Sequence, residues 1–317
     1  MSASRATALS GFLPRYPAEA KSFLWIAMAS ATAWASWTHP AWRPYLWPLG
    51  GYFSLCAGLI AHGHNHCPVF LNRGANQVMS WLATIFYGFP SFVWVAVHND
   101  NHHRLSNAPG DSTATWKVSN KHNLLVAGTY PFVSMLYQQP VVGKFVLDAW
   151  KNNRSRFWAC VSQYVIFWGG AAFALWIDWR AFVWAFALPW FCGVYMMIYF
   201  NYAQHVHCDP YSDWSHSRDW TGKLLNFLLF NNGFHTVHHN RPGVHWSKWG
   251  QMHEEVKDKI PLELQEKSLA WWLVRQYLLA PFFPSLGSKQ IGGLPWEPPP
   301  GRVPTGTLVQ AASADSL

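Results

Sequence analysis

Residues 157–200 read FWACVSQYVIFWGGAAFALWIDWRAFVWAFALPWFCGVYMMIYF, and their only charges are Asp178 and Arg180. The apolar runs on either side each approach the ~20 residues that a helix needs to cross a bilayer. Ile177-Asp178-Trp179-Arg180 is therefore predicted as the tight turn of a helical hairpin, with arms Phe157 to Trp176 and Ala181 to Phe200. Upstream, Phe23 to Trp37 and Tyr45 to Ala61 form a second, shorter pair, with Trp37, Trp42 and Trp47 as interfacial anchors. Of the 23 Lys and Arg, only Arg43 and Arg180 fall in the two turns. The positive-inside rule then puts both termini and the bulk of the chain in the cytoplasm, as an integral multi-pass protein of the cell (inner) membrane.

Met79 to Val97 is also uncharged. A single crossing there would reverse the sidedness of everything downstream, and Pro90, in Gly88-Phe89-Pro90, would break a continuous helix at its centre. The expectation is a re-entrant or interfacial pair of half-helices. Ser268 to Phe283 reads as an amphipathic helix in the interface, or as an ordinary core helix of the cytoplasmic part. The remaining tail, with Pro298-Pro299-Pro300 and a Gly/Thr/Ala/Ser end, is expected to be poorly ordered. The predicted fold is thus all-α integral membrane: four transmembrane helices in two hairpins, a re-entrant/interfacial segment and a helical, His-rich cytoplasmic cap. Its boundaries fall at 1–21 for a cytoplasmic N-terminal tail, 22–260 for the main domain, 261–283 for the interfacial helix and 284–317 for the Pro-rich tail.

Composition agrees with this. Only 12% of the 317 residues are charged and 17% are aromatic, with 22 Trp; soluble domains carry ~25% charge. A disordered, collagen-like or coiled-coil chain is excluded. The net charge of +8 comes with no dense basic run and no nucleic-acid motif, so no nucleic-acid partner is expected. Five Cys without a CxxC pair argue against a disulfide scaffold or a thiolate metal site.

The 16 His are the unusual feature, and 11 of them sit in four short windows: His62-Gly-His64-Asn-His66, His98-Asn-Asp-Asn-His102-His103, His205-Val-His207 and His235-Thr-Val-His238-His239. His62/His66 and His98/His102 are i,i+4 pairs, His235/His238/His239 is an i,i+3,i+4 triplet, and Asn201 precedes His205 by four, so each set shares a helix face. Neutral imidazole binds Fe, Zn, Cu or Ni. One zinc takes only three or four ligands, so eight or nine converging His imply two metal ions. His62 follows the second span and His205 the fourth, which places these windows on one side of the membrane.

An HxxxH after the second span, an HxxxHH some thirty residues later and an HxxHH after the fourth resemble the membrane-bound fatty acid desaturase and hydroxylase superfamily. The likeness extends over roughly residues 45–250. It includes His98-Asn-Asp-Asn-His-His-Arg-Leu-Ser-Asn-Ala-Pro-Gly-Asp111, similar to the family's second box with its trailing Asn and Asp, and Asn201-Tyr-Ala-Gln-His205, similar to its Asn-xxx-His element. The resemblance makes residues 22–260 a desaturase-like non-haem diiron domain. It implies two Fe held by His62, His66, His98, His102, His103, His205, His235, His238 and His239, with Asn201 acting through water. It also implies O2 as co-substrate and a fatty acid or acyl-lipid substrate drawn from the bilayer. The pattern departs from some desaturases in having three residues between the outer His of the first box, with His64 extra in its middle. It has no haem-binding His-Pro-Gly-Gly motif, so electrons are expected from a separate ferredoxin- or cytochrome-type protein. The longer insertions of alkane monooxygenases are also missing.

Around the boxes, Asp100, Asp111 and Asp209 are candidates to orient imidazoles through the second ring nitrogen, or else to cap helices or pair with Arg. His64, His207 and His245 lie within or near boxes and are candidates for a ligand or an indirect role, His64 and His207 foremost for the latter. His39, His122, His216 and His253 read as surface residues. Arg104 and Arg241 follow two boxes and are candidates to hold a substrate carboxylate, or are helix-end charges. Phe86, Phe89, Phe92, Trp94, Phe227, Phe230 and Phe234 could wall an acyl tunnel.

The implied activity is oxidation of an unactivated C–H bond of an acyl chain, chemistry for which side chains alone are inadequate. Desaturation ranks first, then decarboxylation of a free acid to a 1-alkene, then hydroxylation; the branch depends on substrate register. A membrane metal-binding or transport protein is the rival from another class. Transport predicts ionisable residues inside the spans, and none of the four contains His, Asp, Glu, Lys or Arg.

Overall fold

The computed structural model describes residues 11–306. Its regular secondary structure among the described residues is helical apart from one two-residue parallel strand pair, β1 Asp219–Trp220 with β2 Gln265–Glu266. The chain divides into two compact units, one holding residues up to Val95 with Gly143–Met197, the other Ala96–Val142 with residues from Ile198 onward.

In the first unit, α1 (Ala20–Thr38) and α2 (Arg43–His66) are joined by a short 3-10 turn, Pro40–Trp42. Arg43 closes α1 by donating to the carbonyls of Ser36 and Trp37. α3 (Arg73–Tyr87) starts on the Asn72 side chain, which accepts the Ala75 N–H at 2.9 Å. It stops at Gly88, whose φ of +78° is left-handed. A Cβ on Gly88 would also overlap the Trp190 ring, so conformation and space both demand glycine here. The predicted interruption of Met79–Val97 is therefore real: helix resumes at Trp94, as α4.

The run Arg154–His205, α6, is the one helical stretch among the described residues that is long and apolar enough to cross a membrane. It is not one straight rod. Asp178 leaves the helix (φ −154°, ψ 97°), and its carboxylate accepts the N–H groups of Arg180 and Ala181, capping the second arm. The predicted turn is at that residue. Arg43 and Asp178 stand 3.8 Å apart, so the two hairpin turns share one end of this unit. Small residues draw the arms together: Gly50 and Gly51 of α2 face Pro189 and Cys192, and Gly193 faces Ser54. The first pair of predicted spans thus forms as helices.

The second unit is built on Tyr130, Phe200, Tyr202, Trp220, Trp272 and Tyr277, all buried in one cluster. α5 (Leu124–Asn152) begins here and passes into the first unit. It is absent from the sequence reading, and it continues through Pro131 and Pro140. α7 (Lys223–Leu228), α8 (His235–Asn240), α9 (Trp249–Val256) and α10 (Leu269–Leu273, continued by a π-helical turn Val274–Leu279) complete it.

Two expectations are corrected. The segment 261–283 is not one helix, because Leu262–Leu264 is a 3-10 turn and Gln265–Glu266 is β2. On α10, Trp272 and Tyr277 are buried core residues while Trp271 and Leu278, and Phe282 and Phe283 just beyond its end, are exposed, so one face is a core helix. The tail is not loose as far as it is described. After a 3-10 turn at Pro284–Leu286, the segment to 306 runs along the second unit, where backbone groups and Asp209 give this Pro/Gly-rich chain many of its partners. Residues 307–317 lie outside the described part.

Candidate metal centre

The second box is carried on α4, wound as a π-helix over Trp94–His102 and as a short α-turn over His103–Leu105. π-Helical i→i+5 winding makes residue i+5 a neighbour one turn on. His98 therefore pairs with His103, their Nε2 atoms 3.0 Å apart. His238, from α8, joins them at 3.0 Å from His103 and 3.3 Å from His98. His102 turns to a different set: its Nε2 is 3.0 Å from that of His205, which is 3.0 Å from His235, which is 3.1 Å from His239. These four side chains offer nitrogens all within 4.8 Å of one another, and all are buried. The i,i+4 neighbours His98 and His102 do stack, ring centroids 5.2 Å apart, yet the π winding sends their Nε2 atoms to different sets, and the 235/238/239 triplet, whose rings also adjoin, is divided in the same way. His62 and His66 face each other at the end of α2, ring centroids 4.9 Å apart, with Trp94 beside His62.

Hydrogen bonding cannot account for the His98–His103–His238 triangle. An imidazole Nε2 is either a donor or an acceptor. Among three mutually close atoms two must be alike, so at least one contact opposes like with like. A cation at the centre resolves this, because all three lone pairs then point at it. Nitrogens bound at ~2.1 Å to one ion lie about 3 Å apart, as these do. The site fits a metal, and its all-nitrogen donors suit a late first-row ion.

The opposite ring nitrogens are tied down. His102 Nδ1 lies 2.8 Å from Asp111 and 2.9 Å from the Thr113 hydroxyl. His205 Nδ1 lies 3.0 Å from the His216 carbonyl, to which it donates. Both arrangements direct Nε2 inward. Asp111 is fully buried; burial alone would push its carboxyl up, but the His102 imidazole and the Thr113 donors outweigh this and hold it at about 2. Asn107, at φ +80°, donates its N–H to Asp111 and its side-chain amide to the His205 carbonyl. Asp219 accepts the Thr236 N–H at the start of α8 and is itself held by His253 at 2.8 Å. Trp249 packs on His238, ring centroids 4.5 Å apart. Thr113, Asp219 and Trp249 are supports that the sequence reading missed, while Asn107 is the trailing Asn of the second box, here given its role; for Thr113 the signal was the polar run after that box.

Other expectations divide. Asn201 donates to the Tyr130 hydroxyl at 3.1 Å. His39 is exposed as expected, but His122, His216 and His253 are buried, held by Tyr202, Asn240 and Asp219. Polar sequence context hid them because their neighbours are themselves buried partners. Of the orienting carboxylates Asp111 lies against a box imidazole; Asp100 is exposed, and Asp209 accepts the N–H groups of Tyr211 and Gly293. His64 uses its ring on the Asn76 carbonyl and the Val69 N–H, and His207 on Ser288. His245 accepts the Ser247 N–H. Arg104 and Arg241 are exposed.

The fatty acid desaturase family model matches residues 21–285. The chain belongs to the fatty acid desaturase family. Comparison with curated proteins and with solved structures finds no match. Membership makes this desaturase-family chain an oxidoreductase and implies a fatty acyl substrate and membrane association. The buried histidine groups are compatible with the metal centre of such an enzyme.

Proposed function

We propose that the protein is an O2-dependent, non-haem diiron membrane oxidoreductase that acts on unactivated C–H bonds of fatty acyl chains, desaturation being the first assignment. The observation that carries the reading is the pair of distinct histidine sets on α4, α6 and α8 within a desaturase-family chain. His102, His205, His235 and His239 hold one iron. His98, His103 and His238 hold the other, and the first box, His62 and His66, is assigned to the diiron set by the family resemblance. Asn201 is assigned a water-mediated role at most, since Tyr130 already takes its amide. When bound, the two irons supply, with O2 and electrons from a separate ferredoxin- or cytochrome-type protein, the oxidising power that side chains lack.

The chain's own residues have three tasks. Nine imidazoles provide neutral donors. Asp111, Thr113 and the His216 carbonyl fix the tautomers of His102 and His205. The buried setting excludes bulk water from the reacting carbon. Both helical hairpins cross the inner membrane with their turns outside and both termini in the cytoplasm. The shared end of the Arg43 and Asp178 turns supports this arrangement.

The test is product analysis. Membranes containing the protein are given O2, an electron-donor system and isotopically labelled free fatty acid, acyl thioester or phospholipid. An iron- and O2-dependent unsaturated product of unchanged length is expected. A terminal alkene one carbon shorter, made only from free acid, would reassign the enzyme as a decarboxylase, and an oxygen-labelled alcohol as a hydroxylase. No oxidised product from an iron-loaded protein would refute lipid oxidation.

A further inference from the structure

The C-terminal segment does more than finish the chain. From Ser288 to Gly306 it runs over the second unit and touches the two loops that follow metal-box residues. On the loop after His205, Ser288 bonds His207 Nδ1 at 2.8 Å, the Ile291 N–H reaches the His207 carbonyl, and the Gln290 amide reaches the Cys208 carbonyl. Gly293 donates to the buried Asp209 carboxylate at 2.9 Å, and the Tyr211 hydroxyl donates to the Pro295 carbonyl. Thr305 donates to the Pro210 carbonyl. On the loop after His103, Trp296 packs edge-on against Trp116, ring centroids 6.1 Å apart. Gly306 lies so close to the His103 carbonyl that a Cβ there would overlap it.

These contacts lead inward. The Trp116 indole donates to the Asn107 carbonyl at 2.7 Å, and Asn107 in turn holds both Asp111 and the His205 carbonyl. A strap that fixes Trp116 from outside thus fixes the residue that staples the second box to the end of α6.

We propose that the strap Ser288–Gly306 is a positioning element of the metal centre, clamping the loops after His103 and His205 so that the histidines beneath them retain metal. The inference rests on the diiron reading above. Its test uses full-length protein in detergent, loaded anaerobically with ferrous iron and chased with a chromophoric ferrous chelator. Trp296→Ala and Gly306→Val are expected to release iron about tenfold faster, the loss typical of groups that orient metal ligands. Amide exchange should rise in 103–116, in 205–211 and in the strap itself but nowhere else, the unfolding midpoint should stay put, and Trp296→Phe should restore slow release. Wild-type release rates with both loops still protected would overturn the proposal, as would exchange that rises evenly across the molecule. A wild-type chain that takes up no iron would refute the diiron reading instead, and the clamp would then be judged on exchange in the two loops.

Discussion

The carboxylate of Asp111 stands 2.8 Å from Nδ1 of His102, with both side chains buried. Because Asp111 also receives the N–H groups of Asn107 and Thr113 and the Thr113 hydroxyl, it stays an anion and cannot turn away. It holds the His102 ring with Nε2 toward His205. Asp111→Asn keeps the shape but gives up the charge. It is expected to weaken iron binding about 10- to 100-fold, measured by competition with a chelator of known affinity. Unchanged affinity would show that the ring is held by Thr113 alone.

The separation of His98 from His102 makes a prediction that ligand counting alone does not. His238→Ala strips the set that includes His98 and His103, whereas His235→Ala strips the set that includes His102 and His205. Each variant is expected to keep about one iron per chain, in spectroscopically distinct environments, since three or four imidazoles suffice for one ion. Mössbauer spectra of iron-57-loaded protein separate the two cases. Identical residual spectra would mean that the sets are not independent.

Much of this was legible in the residues. The charge-free run 157–200 with its single Asp/Arg turn, the break at Gly88-Phe89-Pro90 and the clustering of His into boxes all survive in the structure. What was illegible has local causes. Periodicity makes His98 and His102 neighbours, as they are, but it assumes an α-helix and so does not show that π winding over Trp94–His102 brings His103, not His102, to 3.0 Å from the His98 Nε2. α5 carries Pro131 and Pro140, residues that ordinarily argue against a helix interior, yet the helix tolerates the missing N–H at each. His122, His216 and His253 lie among polar residues in sequence, and polarity signals the surface only when the partners are not buried as well.

The Gly88 junction is testable through stability. Gly88→Ala places a side chain at φ +78° and against Trp190. The left-handed backbone costs about 1–2 kcal/mol, and overpacking against the indole adds about 1–3 kcal/mol. A matching fall in unfolding free energy in detergent is expected. Ala at Gly143, where nothing lies within 4 Å of the added methyl, is the control and should not destabilise. Equal behaviour of the two variants would remove the steric argument for the break between α3 and α4.

Burial also sets a pH dependence at an imidazole that is not among the assigned metal ligands. His122 is 5% exposed. Its Nδ1 is 3.0 Å from the Tyr202 hydroxyl and its ring is edge-on to His207, so no anion faces it to favour a proton. Burial pushes its pKa down from 6.5 to about 4. Above pH 6.5 the imidazole is neutral whether the chain is folded or not, and contributes no pH dependence. Below 6.5 the unfolded chain takes up a proton that the folded chain refuses, so stability falls as pH drops, until both states are protonated below about 4. The loss over that window is about 3 kcal/mol. His122→Gln cannot titrate there. Its stability relative to wild type should therefore improve by about that amount between pH 7 and pH 4, read from denaturant midpoints in detergent. A difference between the two proteins that stays constant across the window would mean that His122 is not held neutral by the fold.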